Sequence, residues 1–254
     1  FFGLMLAGSF AFGQSCPATF GLGYSEDLDG LSTCGTSCGT ICTSPTSVFW
    51  TNETSDDGDW LVDANGTTSS NTGPSSDFTS ATGSGNYLYT EASGCSGDVK
   101  ILTSPCFDVS GIACPAFTFA YHMNGTDMGS LDVEVSFDQG VTWTSRFSRS
   151  GNQGNQWNSG LVDLSGSSNI VKVRFVGVVG TSFTSDMAID GFAVTDVFGQ
   201  TFNAAFSGLP ATISVTDPAV TLTPVQGTGF FSGPGVVGST YDPSTVSPGT
   251  YTVT

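Results

Sequence analysis

The chain has 254 residues with 22 acidic side chains against 5 basic ones, a formal net charge of −17, and only 11% of its residues are charged, against roughly 25% in an average soluble domain. Five cations cannot supply the Lys/Arg footprint that nucleic acid demands, nor the polybasic patch that an anionic membrane attracts. Gly, Ser and Thr stand where a helical protein has Ala, Leu, Lys and Glu, and 20 Phe, 6 Tyr and 4 Trp are too much aromatic surface for a disordered chain.

Residues 1–12, FFGLMLAGSFAF, are an uncharged apolar run too short to span a bilayer as a helix. Ala11 and Gly13 offer the small residues of a cleavage site, so 1–13 read as the remnant of a secretory signal peptide, and no direct membrane insertion of the mature domain is expected. The cysteines at 16, 34, 38, 42, 95, 106 and 114 fit an oxidising compartment and disulfides. A zinc site is disfavoured by a single histidine and the lack of a C-x2-C pair. Cys106 and Cys114 flank FDVSGIA and are the expected pair, closing a small loop. Cys34, Cys38 and Cys42 sit among loop residues, and the odd count leaves a thiol unpaired, with Cys16 as its candidate. Residues 43–84 are polar and turn-rich, with Trp50 and Trp60 spaced to pin a long connection onto a core.

From residue 85 the pattern has period two. The runs 86–91, 99–102, 117–121, 131–137, 160–164, 171–175 and 187–194 alternate apolar with small or polar residues, separated by Gly, Ser, Asn and Asp clusters. That pattern predicts an all-β fold, a jelly-roll β-sandwich rather than βαβ units. After Val197 the spacing changes, and 201–254 hold short strand pairs with Pro/Gly turns, the start of a second β module.

Candidate chemistry is sparse. His122 is the only histidine and lies in an alternating strand, so a structural role is expected over a Ser-His-Asp triad. Neither HExxH nor G-x-S-x-G occurs. Ser136 to Trp143, SFDQGVTW, resembles the Asp-box of sialidases and predicts a hairpin turn with Trp143 packed in the strand that follows. Trp157 falls in GNQGNQWNSG, read as a loop whose amides, Asn155 among them, can bond sugar hydroxyls; it is either a glycan platform or a plug at the sandwich edge. Loops rich in Asp, Asn and Ser suit a hard cation such as Ca²⁺.

Seven landmarks in order carry a family resemblance. They are Asp59-Trp60, Asn71-Thr-Gly-Pro74, Asp77-Phe-Thr79, Gly85 to Ser93, Leu102 to Pro105, Phe117 to Gly125 with Met128 to Leu131, and Asp186-Met-Ala-Ile-Asp190. Over 45–197 the chain resembles the MAM domain, the extracellular adhesion module of meprins, neuropilins and receptor tyrosine phosphatases, and looks most like versions on exported bacterial surface proteins. The tail resembles the immunoglobulin-like modules of such proteins. The resemblance implies a MAM-like jelly-roll domain over 20–197 and a truncated immunoglobulin-like β module over 201–254. It also implies a structural cation, here Ca²⁺, at Asp77 and Asp190, with Glu26 and Asp59 as further ligands. The function expected is non-catalytic adhesion or recognition of an extracellular protein or glycan by a secreted or cell-surface bacterial protein. The alternatives are an accessory domain of a secreted peptidase or glycoside hydrolase, and a carbohydrate-binding module using Trp157 and Asn155.

Overall fold

Alternation puts every second side chain of a strand on one face. The first unit builds on that rule with β1 (Thr19–Phe20), β2 (Ser25–Glu26), β3 (Thr51–Asn52), β4 (Leu61–Ala64), β5 (Asn86–Tyr89), β6 (Val99–Thr103) and β7 (Cys106–Asp108). They are followed by β8 (Pro115–Met123), β9 (Ser130–Ser136), β10 (Thr144–Ser150), β11 (Gly154–Asp163), β12 (Ile170–Val178) and β13 (Met187–Asp196). This computed structural model describes residues 16, 18–80 and 85–197 of the unit Phe1–Phe198, and 206–207, 212–224, 234–237 and 239–247 of the unit Gly199–Thr254. The apolar run 1–13 lies outside the described residues.

The strands form the two sheets of a β-sandwich. One runs β1-β7-β12-β6-β3, with β9 along the other edge of β12 and β10 beyond it; the second runs β11-β8-β13-β5-β4, with β2 against β13. β12 pairs first with β7 at Ile170 and Val171, then with β6 from Arg174 to Val178. Pro105 interrupts that edge because it has no N–H to give a ladder. Ser104 bridges the gap: its N–H donates to Val173 O at 2.9 Å, and its hydroxyl accepts from Val173 N at 2.8 Å.

Two strand assignments differ from the sequence expectation. β10, TSRFSRS, carries only Phe147 as an apolar side chain turned to the aromatic core, too little for periodicity to reveal. Trp143 therefore stands just before a strand rather than inside one. β11 starts at Gly154, so Trp157 belongs to a strand and not a loop; it pairs with His122 of β8 across a bulge between Gly154 and Trp157.

The core is aromatic. Trp50 is fully buried, with ring centroids 4.7 Å from Phe192, 5.8 Å from Phe175 and 6.0 Å from Phe117. Its Nε1 donates to Tyr24 Oη at 2.8 Å, so the indole loses no hydrogen bond on burial. Trp60 is equally buried and donates from Nε1 to Lys100 O at 3.0 Å. Asn52 joins the two ends of this connection: its amide donates to Cys42 O and Trp60 O and accepts from Trp60 N. The polar stretch after residue 43 is thus held onto the sandwich by two indoles and one amide.

Three disulfides form: Cys16–Cys106, Cys34–Cys42 and Cys38–Cys95. The expected Cys106–Cys114 pair is therefore incorrect, and Cys114, not Cys16, is the free thiol, exposed to solvent. The cause is tertiary. β1 lies parallel to β7 with Thr19 opposite Cys106, which brings Cys16 to Cys106, whereas Cys114 leads into β8 in the other sheet, its N–H bonded to Asp196 Oδ1 at 3.1 Å.

The second unit is also β-rich. Phe206–Ser207 pairs with Thr223–Pro224, and Thr240–Tyr241 lies between Val220–Thr221 and Val236–Val237. Leu222 and Tyr241 are its buried apolar side chains among the described residues.

Candidate functional site

The second sheet buries both faces at its centre. Met187 and Ile189 of β13 and Leu88 of β5 belong to the core cluster. The alternate residues Asp190, Tyr87 and Tyr89, and His122 of β8, point the other way, yet are also buried. What covers them is the connection 65–80. Thr72 Oγ1 accepts from Asp186 N at 2.8 Å and donates to Asn124 O at 2.9 Å. Further along, Phe78 N donates to Asp190 Oδ2 at 2.7 Å, and Trp157 Nε1 donates to Ser76 O at 3.0 Å.

Under the far end of this cover lie the acids anticipated for a cation. Asp190 is fully buried and accepts N–H bonds from Phe78 and Gly191. Burial pushes its carboxyl up to about 7; those two N–H bonds pull it down, and Asp77 and Asp29 push it further up. For Asp77 burial alone would raise the pKa, but the Ser80 hydroxyl and N–H, the Thr79 hydroxyl and the Gly85 N–H outweigh it and hold it below the usual carboxylate range. Asp29 Oδ1 accepts from Asn86 N at 2.9 Å. Gly85 sits between these two acids: a Cβ there would run into Asp29 Oδ1 and come within 2.6 Å of the Asp77 carboxylate. The chain keeps that space open by using glycine.

Glu26 joins from β2, opposite Phe192 of β13. Burial raises its pKa, the Leu28 N–H lowers it, and Asp27 and Asp29 raise it again. Asp59 does not join this group. It precedes Trp60, whose indole enters the core, and its Oδ2 turns to the Cys42 N–H at 2.6 Å. Asp29 takes the place expected of Asp59; its only sequence signal was a short acidic run after Glu26. Asp29 and Asp77 border the space at Gly85, and their charge reaches Asp190, as that of Asp29 reaches Glu26; carboxylate oxygens are the donors that a hard cation such as Ca²⁺ takes. Among the described residues the one set of three acid or thiol ligand atoms within 4.8 Å of one another is Cys38, Cys95 and Asp98. Its sulfurs are joined to each other and unavailable to a metal. An ion at the aspartates would need backbone carbonyls or water to complete six to eight oxygens.

Trp157 and Asn155 take up other duties. The Trp157 ring is half-buried, 5.5 Å from His122, 6.1 Å from Phe78 and 6.1 Å from Tyr87, with its N–H already bonded to Ser76. Asn155 Oδ1 lies 3.1 Å from His122 Nε2. Burial lowers the His122 pKa to about 4, against the opposing effect of the Asn155 bond, so the ring is neutral at pH 7 with an amide as its side-chain hydrogen-bond partner. Trp157→Ala is expected to cost about 2 kcal/mol, from lost packing and the lost Ser76 bond. Hydrogen exchange at Ser76 and Phe78 should accelerate while exchange in β12 stays at its wild-type rate; unchanged exchange at 76–78 would show that the cover does not rest on Trp157.

Two further features follow from residue chemistry. Asp138 accepts from the Ser136 hydroxyl and from the backbone and hydroxyl of Thr142, which hold its carboxyl down at about 2. Gln139 and Gly140 turn the chain with φ of 62° and 97°, and Arg174 stacks 4.4 Å over the Trp143 ring. SFDQGVTW is thus a closed turn with a packed Trp. A second acid pair was not foreseen: Asp186 and Glu91 are both buried, with Asp186 Oδ1 on Ala92 N at 3.0 Å and Tyr89 Oη on Glu91 Oε2 at 3.4 Å. Among the described residues Asp186 Oδ2 has no hydrogen-bond partner within 3.5 Å; the Thr67 hydroxyl, which donates to Thr72 O, lies near enough only to moderate its charge. Burial, then Glu91, carry Asp186 up to about 7.

The family model described as MAM domain, meprin/A5/mu, matches residues 34–197. Neuropilin-1a of Danio rerio is 35% identical over 141 residues, which are 54% of this chain and 15% of that protein. MAM domain-containing glycosylphosphatidylinositol anchor protein 1 of Homo sapiens is 36% identical over 149 residues, again 15% of its length. The chain thus matches a small part of each of these relatives. Among solved structures, the K1 cleaved adhesin domain of Lys-gingipain from Porphyromonas gingivalis W83 covers 68% of this chain with 96% of its own, at 16% identity and a TM-score of 0.45.

Proposed function

From a chain that belongs to the MAM domain family, we propose a non-catalytic recognition domain of a secreted or cell-surface protein, binding an extracellular protein or glycan through its loops or an outer sheet face. MAM domains are extracellular, and three disulfides accord with an oxidising compartment. Among the described residues no helix is long and apolar enough to cross a membrane. The observation that carries the non-catalytic reading is the placement of His122. The only imidazole of the chain is buried beneath the 65–80 cover, neutral, and bonded to the Asn155 amide rather than to a nucleophile or an acid.

Recognition by a bacterial surface protein, or by an accessory domain serving a peptidase or glycosidase, are forms of the same reading that differ only in what accompanies the domain. Sugar stacking on Trp157 is not favoured, because its N–H and ring are occupied from within the fold. Glu26, Asp29, Asp77 and Asp190 would hold a structural Ca²⁺, which would neutralise acids that burial otherwise forces together; the binding loops would gain rigidity and no bond would be made or broken. The test is to immobilise the purified chain over arrays of glycans and of extracellular proteins, and to assay hydrolysis of peptide and glycoside pools in parallel. Saturable binding without turnover is expected. Turnover that disappears in His122→Ala would overturn the reading.

A further inference from the structure

Lys100 is anomalous in a chain so short of cations. It is buried to 1% exposure in β6, and its ammonium makes one hydrogen bond among the described residues, at 3.5 Å to Cys95 Sγ of the Cys38–Cys95 disulfide. A buried ammonium ordinarily meets a carboxylate or a carbonyl. The ion pairs Arg146–Asp163 and Arg174–Glu134 do not involve Lys100. Burial lowers its pKa, while Asp98, Asp59, Asp56 and Glu91 act at longer range to raise it. Gly58 leaves room for the group: a Cβ there would sit 3.1 Å from Lys100 Nζ. The two sulfurs differ in access, since Cys38 is exposed and Cys95 is 1% exposed.

We propose that the Cys38–Cys95 bridge is a modification site for low-molecular-weight thiols, which add covalently at Cys38 while Cys95 is released as a thiolate held by Lys100. The incoming thiol first loses its proton to water. Its sulfur attacks Cys38 Sγ from the solvent side, a new S–S bond forms to Cys38, and the Cys38–Cys95 bond breaks with its electron pair left on Cys95 Sγ. The small thiol is oxidised, Cys95 is reduced, and no other oxidant or reductant takes part. Exchange is faster when the departing sulfur is the better-stabilised thiolate, and the ammonium already points at Cys95. The reverse direction would bring the nucleophile into the core at Cys95 and leave a thiolate on Cys38; the Asp98 carboxylate lies within 4.8 Å of both sulfurs and favours neither, whereas the Lys100 ammonium bonds Cys95 Sγ. Opening the bridge unties the 34–42 loop from the turn that precedes β6.

The experiment uses the full chain carrying Cys114→Ser, which removes the exposed free thiol. The protein is incubated with reduced glutathione and EDTA at neutral pH, quenched in acid, alkylated with N-ethylmaleimide and mapped by peptide mass spectrometry. Glutathione is expected on Cys38 and the maleimide on Cys95, and Lys100→Met should slow this adduct about tenfold or more without changing exchange at the other two bridges. Glutathione on Cys95, an even split between the two sulfurs, or a rate unaltered by Lys100→Met would overturn the proposal. Where Lys100→Met does not fold, the partition between Cys38 and Cys95 in the Cys114→Ser protein decides alone.

Discussion

Trp50→Ala is expected to remove about 3–5 kcal/mol from the unfolding free energy of the first unit, the range for deleting a large buried aromatic. The indole is in contact with Phe117, Phe175 and Phe192, so its removal empties space between both sheets, which close packing does not let the walls refill. A second cost falls on Tyr24. Its hydroxyl accepts the Trp50 N–H, and burial already carries the Tyr24 pKa up to about 12. Trp50→Phe separates the two losses: it keeps part of the volume and forfeits the hydrogen bond, for an expected cost of about 1–2 kcal/mol. Urea denaturation read by aromatic circular dichroism measures both. A loss below about 1 kcal/mol for the alanine variant would show that the 43–60 connection does not depend on this anchor.

Asp190 is expected to make the protein less stable as pH rises, by up to about 4 kcal/mol between pH 4 and pH 8 when divalent cations are chelated. The sign follows from a folded pKa of about 7 against an unfolded value near 3.9. The protonated acid is the form that the fold accommodates, so the stabilisation is complete below the unfolded pKa and lost as pH climbs through the folded one. Asp186, also raised to about 7, acts in the same direction. His122 acts oppositely: with a folded pKa of about 4 against about 6.5 unfolded, its contribution is present above 6.5 and lost as pH falls through 4. The total profile therefore mixes the two trends, and the difference between wild type and Asp190→Asn isolates one of them. Calcium should cancel the Asp190 penalty by pairing with its ionised form. At neutral pH a concentration 100 times the dissociation constant would add about 2.7 kcal/mol, seen as a rise in Tm that is absent at pH 4 and absent in Asp190→Ala. No rise at millimolar calcium would dismiss the ion. A difference profile that stays flat with pH would dismiss the buried charge instead.

Most strands of the sandwich were legible because period-two alternation is local chemistry: a strand with one face in the core must repeat apolar side chains every two residues. β10 was not, since an edge strand with one core-facing aromatic has no repeat to show. Lys100 was not singled out. In VKIL it stands two residues before the buried Leu102 and so on the same face of β6, where alternation puts an apolar side chain, and no local pattern records which distant segments close over a face. Tyr87, Tyr89, His122 and Asp190 are buried on their second face for the same reason, under residues 65–80.

The acids show where legibility ended. An excess of 22 acidic over 5 basic residues was enough to exclude nucleic acid and anionic membrane as partners, and the order of landmarks pointed to the family. Asp77 and Asp190 were named from that resemblance, and the fold brings them together; Asp59 was named too, and the fold sends it to the Cys42 N–H. Which sulfurs join, which acids meet under a cover and which cation faces a disulfide are relations between residues tens of positions apart. Composition and spacing carry the free energy of local conformation and of burial by face. Pairing across the sandwich is decided only when both sheets close on the Trp50 core, because that packing alone sets which distant side chains share a volume without water.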